Sequence, residues 1–270
     1  MLKGYTPPLS TRGQANVAPV PPWHYSGDLI AIEFWSDQEL SAASLPPGLK
    51  PDQAANGHAL ALFADWQFTA QNNEFLDPER YQFREFILLV DATYLDTPVS
   101  WCQFDFVDND SAMARGLIQG HPKKLGSIYQ TRTFAAPSAA AAPVSSGTRF
   151  AASLSAHGYR LAEGRITLHH SIGRLPAALT RPIISRRYFP RMARGFHDKP
   201  AIDELTMGVN DHLTVIDTWV GSADLIFPEV PGEELHFFEP KRMGSGYRFS
   251  MSFSISDLEI LEDLTAAPRG

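Results

Sequence analysis

The stretch Tyr81-Gln-Phe-Arg-Glu-Phe-Ile-Leu-Leu-Val90 reads as a β-strand. A period of two places Tyr81, Phe83, Glu85, Ile87 and Leu89 on one face, with Gln82 and Arg84 opposite. Four members of that face are apolar or aromatic and the fifth is a carboxylate. A carboxylate among apolar neighbours is costly unless it is paired or used, so Glu85 is a candidate for acid–base chemistry, with a buried ion pair as the alternative.

Similar segments lie on either side. Leu29 to Phe34 reads as a strand, and Asp37 to Ala43 as a short helix capped by Ser36 and stopped by Pro46-Pro47-Gly48. Val99 to Val107 is a second strand after the opening one. Asp108-Asn109-Asp110-Ser111 then offers N-cap side chains to a helix over about Ser111 to Gln119, which Gly120 ends and Pro122 prevents from continuing. Residues 135 to 147 are almost all Ala, Pro and Ser and read as a loop. Tyr159 to His169, Leu213 to Val220 and Tyr247 to Ile255 are further strand-like runs. Long helical periodicity is scarce. The pattern implies an α+β chain dominated by antiparallel sheet, folded as a single domain over residues 1 to 270.

Composition narrows the function. The chain has 270 residues, 44% of them hydrophobic, and a formal net charge of −7. No basic stripe develops, which argues against a nucleic-acid surface. No apolar run is long enough for a membrane span, and Met1 to Pro22 carries no signal-peptide core. That segment holds Pro7, Pro8, Pro19, Pro21 and Pro22, and is expected to be an extended arm draped over the domain or a neighbouring subunit. The single cysteine, Cys102, reads as a small buried hydrophobe, consistent with a reducing, cytoplasmic home. His169-His170 lacks acidic or Cys partners at ligand spacing, so no metal site is expected. No phosphate-binding loop or nucleophile elbow occurs.

The chemistry concentrates in Gly116-Leu-Ile-Gln-Gly-His-Pro-Lys-Lys-Leu-Gly126. Two lysines follow a helix stop between apolar residues and glycines. An ordinary lysine amine, with a pKa of about 10.4, is a poor nucleophile at neutral pH. Burial or a neighbouring cation lowers that value, and a free amine attacks a carbonyl to give an iminium that serves as an electron sink without a cofactor. The alternative is a pair of solvated surface charges. On an extended strand, Lys123 and Lys124 point to opposite faces, which leaves burial as the main influence on Lys123.

Gly120-His-Pro-Lys-Lys-Leu-Gly126, preceded by Ser111-Ala-Met-Ala-Arg-Gly116, resembles the acetoacetate decarboxylase superfamily. Leu45-Pro-Pro-Gly-Leu49 and Tyr81-Gln-Phe-Arg-Glu-Phe86 add to the resemblance, which is clear over about residues 27 to 135. It implies a large antiparallel sheet closed into a barrel-like cone with short peripheral helices, a homo-oligomer, Lys123 as the Schiff-base residue, Lys124 as the neighbour perturbing its pKa, and an acidic residue at about the place of Glu85. No bound cofactor is implied. Gln119 is a candidate donor to a substrate carboxylate or carbonyl. Tyr247, on a face with Phe249, Met251, Phe253 and Ile255, is either a pocket residue or core. Trp101 and Met113 would keep the amine dry or are simply core, and His121 beside the lysines is either a proton shuttle or structural.

The sequence departs from the family pattern in one respect. Decarboxylases of this type are expected to carry an arginine near the first strand, yet no arginine occurs between Arg12 and Arg80. A second acidic residue expected ahead of Glu85 is replaced near Trp66-Gln67-Phe68. The superfamily also contains aldolase-dehydratases, which join pyruvate to an aldehyde and eliminate water. The resemblance therefore implies that activity on a small carbonyl substrate. Decarboxylation of a β-keto acid and non-catalytic carriage of an apolar ligand are the alternatives.

Overall fold

A computed structural model of the chain describes residues 1–265. Twelve strands follow in chain order: β1 (Trp23–Trp35), β2 (Lys50–Pro51), β3 (His58–Thr69), β4 (Gln82–Tyr94), β5 (Thr97–Val107), β6 (Lys123–Leu125), β7 (Ser127–Gln130), β8 (Arg149–Ala156), β9 (Tyr159–Ser171), β10 (Ile183–Phe189), β11 (Ile202–Ile226) and β12 (Arg242–Asp263). Three short α-helices accompany them: α1 (Gln38–Ala43), α2 (Pro78–Tyr81) and α3 (Asp110–Gln119). One sheet runs β10-β5-β4-β3-β1-β12-β11-β9-β8-β7, and β10 also pairs with β11. That extra pairing closes a seven-strand ring, while β9, β8 and β7 continue outward from β11. The expected antiparallel cone with peripheral helices is the fold observed.

The strands β1 and β3 are buried on both faces, and this explains their composition. In β1, Ile30, Ile32 and Phe34 enter one apolar cluster, while Tyr25, Leu29 and Ala31 enter another. In β3, Ala59, Ala61 and Phe63 belong to the first cluster and Ala64, Trp66 and Phe68 to the second. Such a strand shows no polar alternation, and β3 is the central strand that the period-two pattern did not reveal. β4 alternates as expected, with Phe86, Leu88 and Val90 in the first cluster and Phe83, Glu85, Ile87 and Leu89 turned to a cavity. Its face begins one residue late: Tyr81 belongs to α2 and stacks on Phe68 with ring centroids 5.5 Å apart.

Several local expectations are refined. α1 is capped by Asp37, whose carboxylate accepts from the backbone N–H groups of Glu39 and Leu40. Ser36, the expected cap, instead shares a hydrogen bond with Ser41. Asn109 caps α3 by accepting from Ala112 N–H, and Gly120 ends it at φ 98° in the left-handed region. The proline-rich N-terminal segment lies over its own domain. Thr6 and Ala18 exchange hydrogen bonds across it. Ser111 donates to Val17 O and Arg80 to Asn16 O, which fastens the loop to α3 and α2. No helix among the described residues is long and apolar enough to cross a membrane.

Candidate active site

Inside the closed ring lies a cavity of about 210 Å³. Its walls come from β1, β3, β4, β12 and part of β11, and α3 closes one side. Lys123 enters from β6, which is three residues long and lies parallel to β5, with Lys123 beside Asp105. The Lys123 side chain is almost fully buried, and its Nζ donates to Glu85 Oε1 in a short ion pair. A second carboxylate, Asp105, stands 3.7 Å from Nζ through Oδ2 and is entirely buried. Glu85 is held from its other oxygen by Trp66, whose indole Nε1–H donates at 2.8 Å.

The path of the lysine depends on α3. An added Cβ at Gly116 would overlap both Cδ and Cε of Lys123. A side chain there cannot coexist with the observed lysine, so the glycine in the motif is a clearance for the amine's stem. The residue before the glycine, Arg115, also projects from the buried side of the helix. Its guanidinium is buried, 3.8 Å above the Phe68 ring and 5.3 Å from that of Phe83. Nη1 donates to Ser111 Oγ at 2.7 Å, while Nε and Nη2 have no hydrogen-bond partner. Buried donors without acceptors are rare in folded proteins, and Arg115 lines the cavity. Tyr25 is buried beside the guanidinium and stacks on Phe253 at 5.0 Å.

The electrostatics differ from the expectation for an activated lysine. Burial alone pulls the Lys123 pKa down, but Asp105 and Glu85 outweigh it and hold the amine above the ordinary lysine range. Glu85 moves in the direction that its burial dictates, upward, against the opposing pull of Lys123. In the free protein the pair is an ammonium clasped by carboxylates. Lys124 does not share this pocket. It points to the other face of β6, pairs with Glu233 and lies 5.2 Å over the Phe106 ring. The neighbouring cation expected to perturb Lys123 is thus screened from it by the strand, as the period of two requires.

Of the other residues singled out from sequence, Gln119 and His121 line the cavity. The Gln119 amide donates back to Arg115 O, one turn earlier. His121 Nδ1 lies 3.4 Å from Asp105 Oδ2 and 3.5 Å from Cys102 Sγ. Trp101 is not in the cavity: it packs in the opposite apolar cluster and donates to Gln103. Tyr247 also lies outside the cavity wall, buried in the core, although its strand-mates Phe249, Met251, Phe253 and Ile255 do line it. Met113 packs behind the wall rather than in it. His169 and His170 are both exposed at the end of β9. The sequence reading missed Tyr25, Trp66, Asp105 and the use of Arg115. Arg115 stands within the quoted Ser111–Gly116 motif, four residues before Gln119, a spacing that puts both on one helix face.

Comparison with known proteins agrees with this architecture. The family model described as acetoacetate decarboxylase (ADC) matches residues 6–264. A structure of the enduracididine biosynthesis enzyme MppR, complexed with the condensation product of pyruvate and imidazole 4-carboxaldehyde, superposes with a TM-score of 0.91 at 32% identity, covering 98% of each chain. MppR complexed with pyruvate gives 0.89 at 32% identity, over 97% of this chain and 99% of that one. An acetoacetate decarboxylase-like enzyme from Sphingomonas wittichii RW1 shares the fold, with a TM-score of 0.87 at 23% identity over 97% of this chain and all of that one. Comparison with curated protein sequences gives no match. With its closed cone, its buried lysine and a family match spanning almost its whole length, the chain belongs to the acetoacetate decarboxylase family.

Proposed function

We propose that the protein is a lyase that forms a Schiff base between Lys123 and pyruvate or a related 2-oxo acid, and that it catalyses aldol condensation or cleavage with dehydration. One observation carries the reading. A buried lysine paired with a buried glutamate shares a cavity with a buried arginine that has the phenol of Tyr25 beside it and whose Nε and Nη2 make no well-formed hydrogen bond. A 2-oxo acid supplies a partner for each: its ketone for the amine, its carboxylate for the Arg115 fork. The similarity to MppR, crystallised with pyruvate and with a pyruvate–aldehyde condensation product, points to the same substrate class.

The reaction begins with the ion pair. Entry of the oxo-acid carboxylate beside Arg115 moves the Lys123 proton to Glu85, whose raised pKa suits it to accept. The free amine adds to the ketone, and the proton held by Glu85 leaves with the carbinolamine hydroxyl as water, so that an iminium and a Glu85 carboxylate remain. Glu85 takes a proton from the adjacent methyl to give the enamine, whose carbon attacks an aldehyde, and returns that proton to the alkoxide formed. Glu85 then removes a second proton from the same carbon and delivers it to the departing hydroxyl, water leaves, and hydrolysis of the conjugated iminium returns the product and the amine. Trp66 holds Glu85 in place throughout. Gln119, at the end of the same helix, is the second donor for the carboxylate or carbonyl.

Borohydride reduction tests the first step. With pyruvate present, a stable mass increase should map to Lys123 and vanish in Lys123→Arg. No adduct with pyruvate, acetoacetate or other oxo acids would leave a ligand carrier instead. Pyruvate mixed with a panel of aromatic aldehydes should give a near-ultraviolet enone absorption. Rapid carbon dioxide release from acetoacetate without any enone would replace the aldolase reading with β-keto acid decarboxylation.

A further inference from the structure

We infer that Cys102, Asp105 and His121 form a binding site for one thiophilic divalent cation of the zinc type, set in the wall of the cavity. The three residues each offer a ligand atom, and these atoms lie within 4.8 Å of one another. The two separations measured from His121 match edges of a coordination polyhedron. Tetrahedral zinc with Zn–S of about 2.3 Å, Zn–N of about 2.05 Å and Zn–O of about 2.1 Å requires S···N and N···O edges of about 3.6 and about 3.4 Å. The observed Cys102 Sγ to His121 Nδ1 distance is 3.5 Å, and His121 Nδ1 to Asp105 Oδ2 is 3.4 Å.

Hydrogen bonding does not account for this convergence. Sulfur and carboxylate approach the same ring nitrogen, which has either one proton to give or one lone pair to offer. Asp105 is entirely buried, and neither of its oxygens has a hydrogen-bond partner. Its cation in the free protein is the Lys123 ammonium, 3.7 Å from Oδ2, which leaves Oδ1 unpartnered and the carboxylate able to take a closer cation. The backbone is also shaped for the cluster. Cys102 and Asp105 are three apart on β5 and would face opposite ways on a regular strand. A register shift against β4, where Leu89 pairs with Cys102 and Leu88 with Phe104, leaves Gln103 as the extra residue of a bulge. The bulge turns Cys102 and Asp105 to one side, a use to which bulges near functional sites are often put. His121 reaches them from the turn after the left-handed Gly120 cap. A thiolate, an imidazole and a carboxylate favour zinc, cadmium or cobalt over magnesium or calcium. Three protein ligands leave a fourth position open, and His121 borders the cavity, which gives an ion a way in.

The site shares Asp105 with the Lys123 ion pair, but the readout does not require Lys123 to form an iminium. Metal-free full-length protein is titrated with Cd²⁺ and with Co²⁺ while thiolate-to-metal charge-transfer absorption is followed. The thiol proton leaves on binding, so the titration also releases acid in weakly buffered solution. The chain has one cysteine, so the band reports Cys102 alone. Saturation at one equivalent is expected, with tetrahedral cobalt bands in the visible. Cys102→Ser should lose the charge-transfer band, and His121→Gln, at a partly exposed position, should weaken binding by about tenfold or more with an unchanged circular-dichroism spectrum. Absence of the band at stoichiometric metal would overturn the inference. So would an affinity unchanged in His121→Gln, because the metal would then be held by the thiol without the cluster.

Discussion

At the scale of single residues, Gly116 shows how closely the helix and the lysine are fitted. The atoms that a Cβ would meet are the middle and end of the Lys123 stem. A stem can rotate away where backbone cannot, so Gly116→Ala should leave the fold intact and displace the amine from Glu85. Misplacement of a reacting atom by about 1 Å can cost on the order of 100-fold in rate. The rate of borohydride-trapped adduct formation on Lys123 should therefore fall at least tenfold in Gly116→Ala, with thermal stability little changed. Trapping at the native rate would show that the lysine does not need the observed path. Glu85 and Lys123 could both be picked out from the chain because each breaks a local rule, a carboxylate on an apolar face and a lysine pair after a helix stop. Asp105 breaks a rule too, but the bulge at Gln103 hides it. Counting by twos from Val99 through Trp101 assigns it to the wrong face. The same shift explains Trp101, which precedes the bulge and turns to the opposite core. Tyr25 and Trp66 sit in strands buried on both faces, where one aromatic reads like the next.

Among the elements, α3 carries the site. Arg115, Gly116 and Gln119 share its buried face, and the helix ends where the lysine strand begins. Ten residues are too few to persist in isolation. The helix is set by its cap, by the Ser111 hydroxyl that receives Arg115 and donates to Val17, and by packing on β10 and β11, where Thr206 Oγ1 donates to Gln119 O. Asn109→Ala removes the oxygen that accepts from Ala112 N–H, and should cost about 1 kcal/mol in denaturant unfolding. Because the first turn holds Ser111, fraying there should also loosen Arg115. The variant is expected to raise the pyruvate concentration needed for half-maximal trapping, with the limiting rate less affected. Unfolding at the wild-type denaturant midpoint would mean the cap is dispensable. α3 was legible in sequence from its cap residues and its glycine stop. β3 was not, since a strand enclosed by core on both sides shows no alternation, even with the Asn56-Gly57 turn directly ahead of it.

At the scale of the molecule, closure of the ring could not be read from any local pattern. It depends on β10 lying parallel to β5 and antiparallel to β11, pairings between segments about 80 residues apart in one case and about 20 in the other. A buried ionic network ties strands of the ring together. His58 on β3 pairs through Nδ1 with Asp91 on β4 at 2.7 Å and through Nε2 with Glu33 on β1 at 3.1 Å. Arg181, ahead of β10, reaches both Asp91 and Asp52. Burial by itself would depress the His58 pKa, but its bonds to Asp91 and Glu33 prevail and raise it to about 9. The folded value exceeds the unfolded value of about 6.5, so the folded state binds the proton more tightly. The stabilisation is complete below about pH 6.5 and is lost as pH rises through about 9, amounting to about 3 kcal/mol over that window. Glu33 shifts the other way, mainly through its bond to His58, and its contribution is lost as pH falls through its lowered value. Unfolding free energy measured by denaturant between pH 6 and pH 10 should decline by at least that amount in the wild-type protein, since burial also holds the Cys102 thiol up. In His58→Gln the starting stability should be lower and the decline smaller by about that amount, because glutamine keeps hydrogen bonds to the two carboxylates but takes up no proton. Parallel declines in the two proteins would assign the alkaline loss to other groups and leave His58 neutral in the sheet.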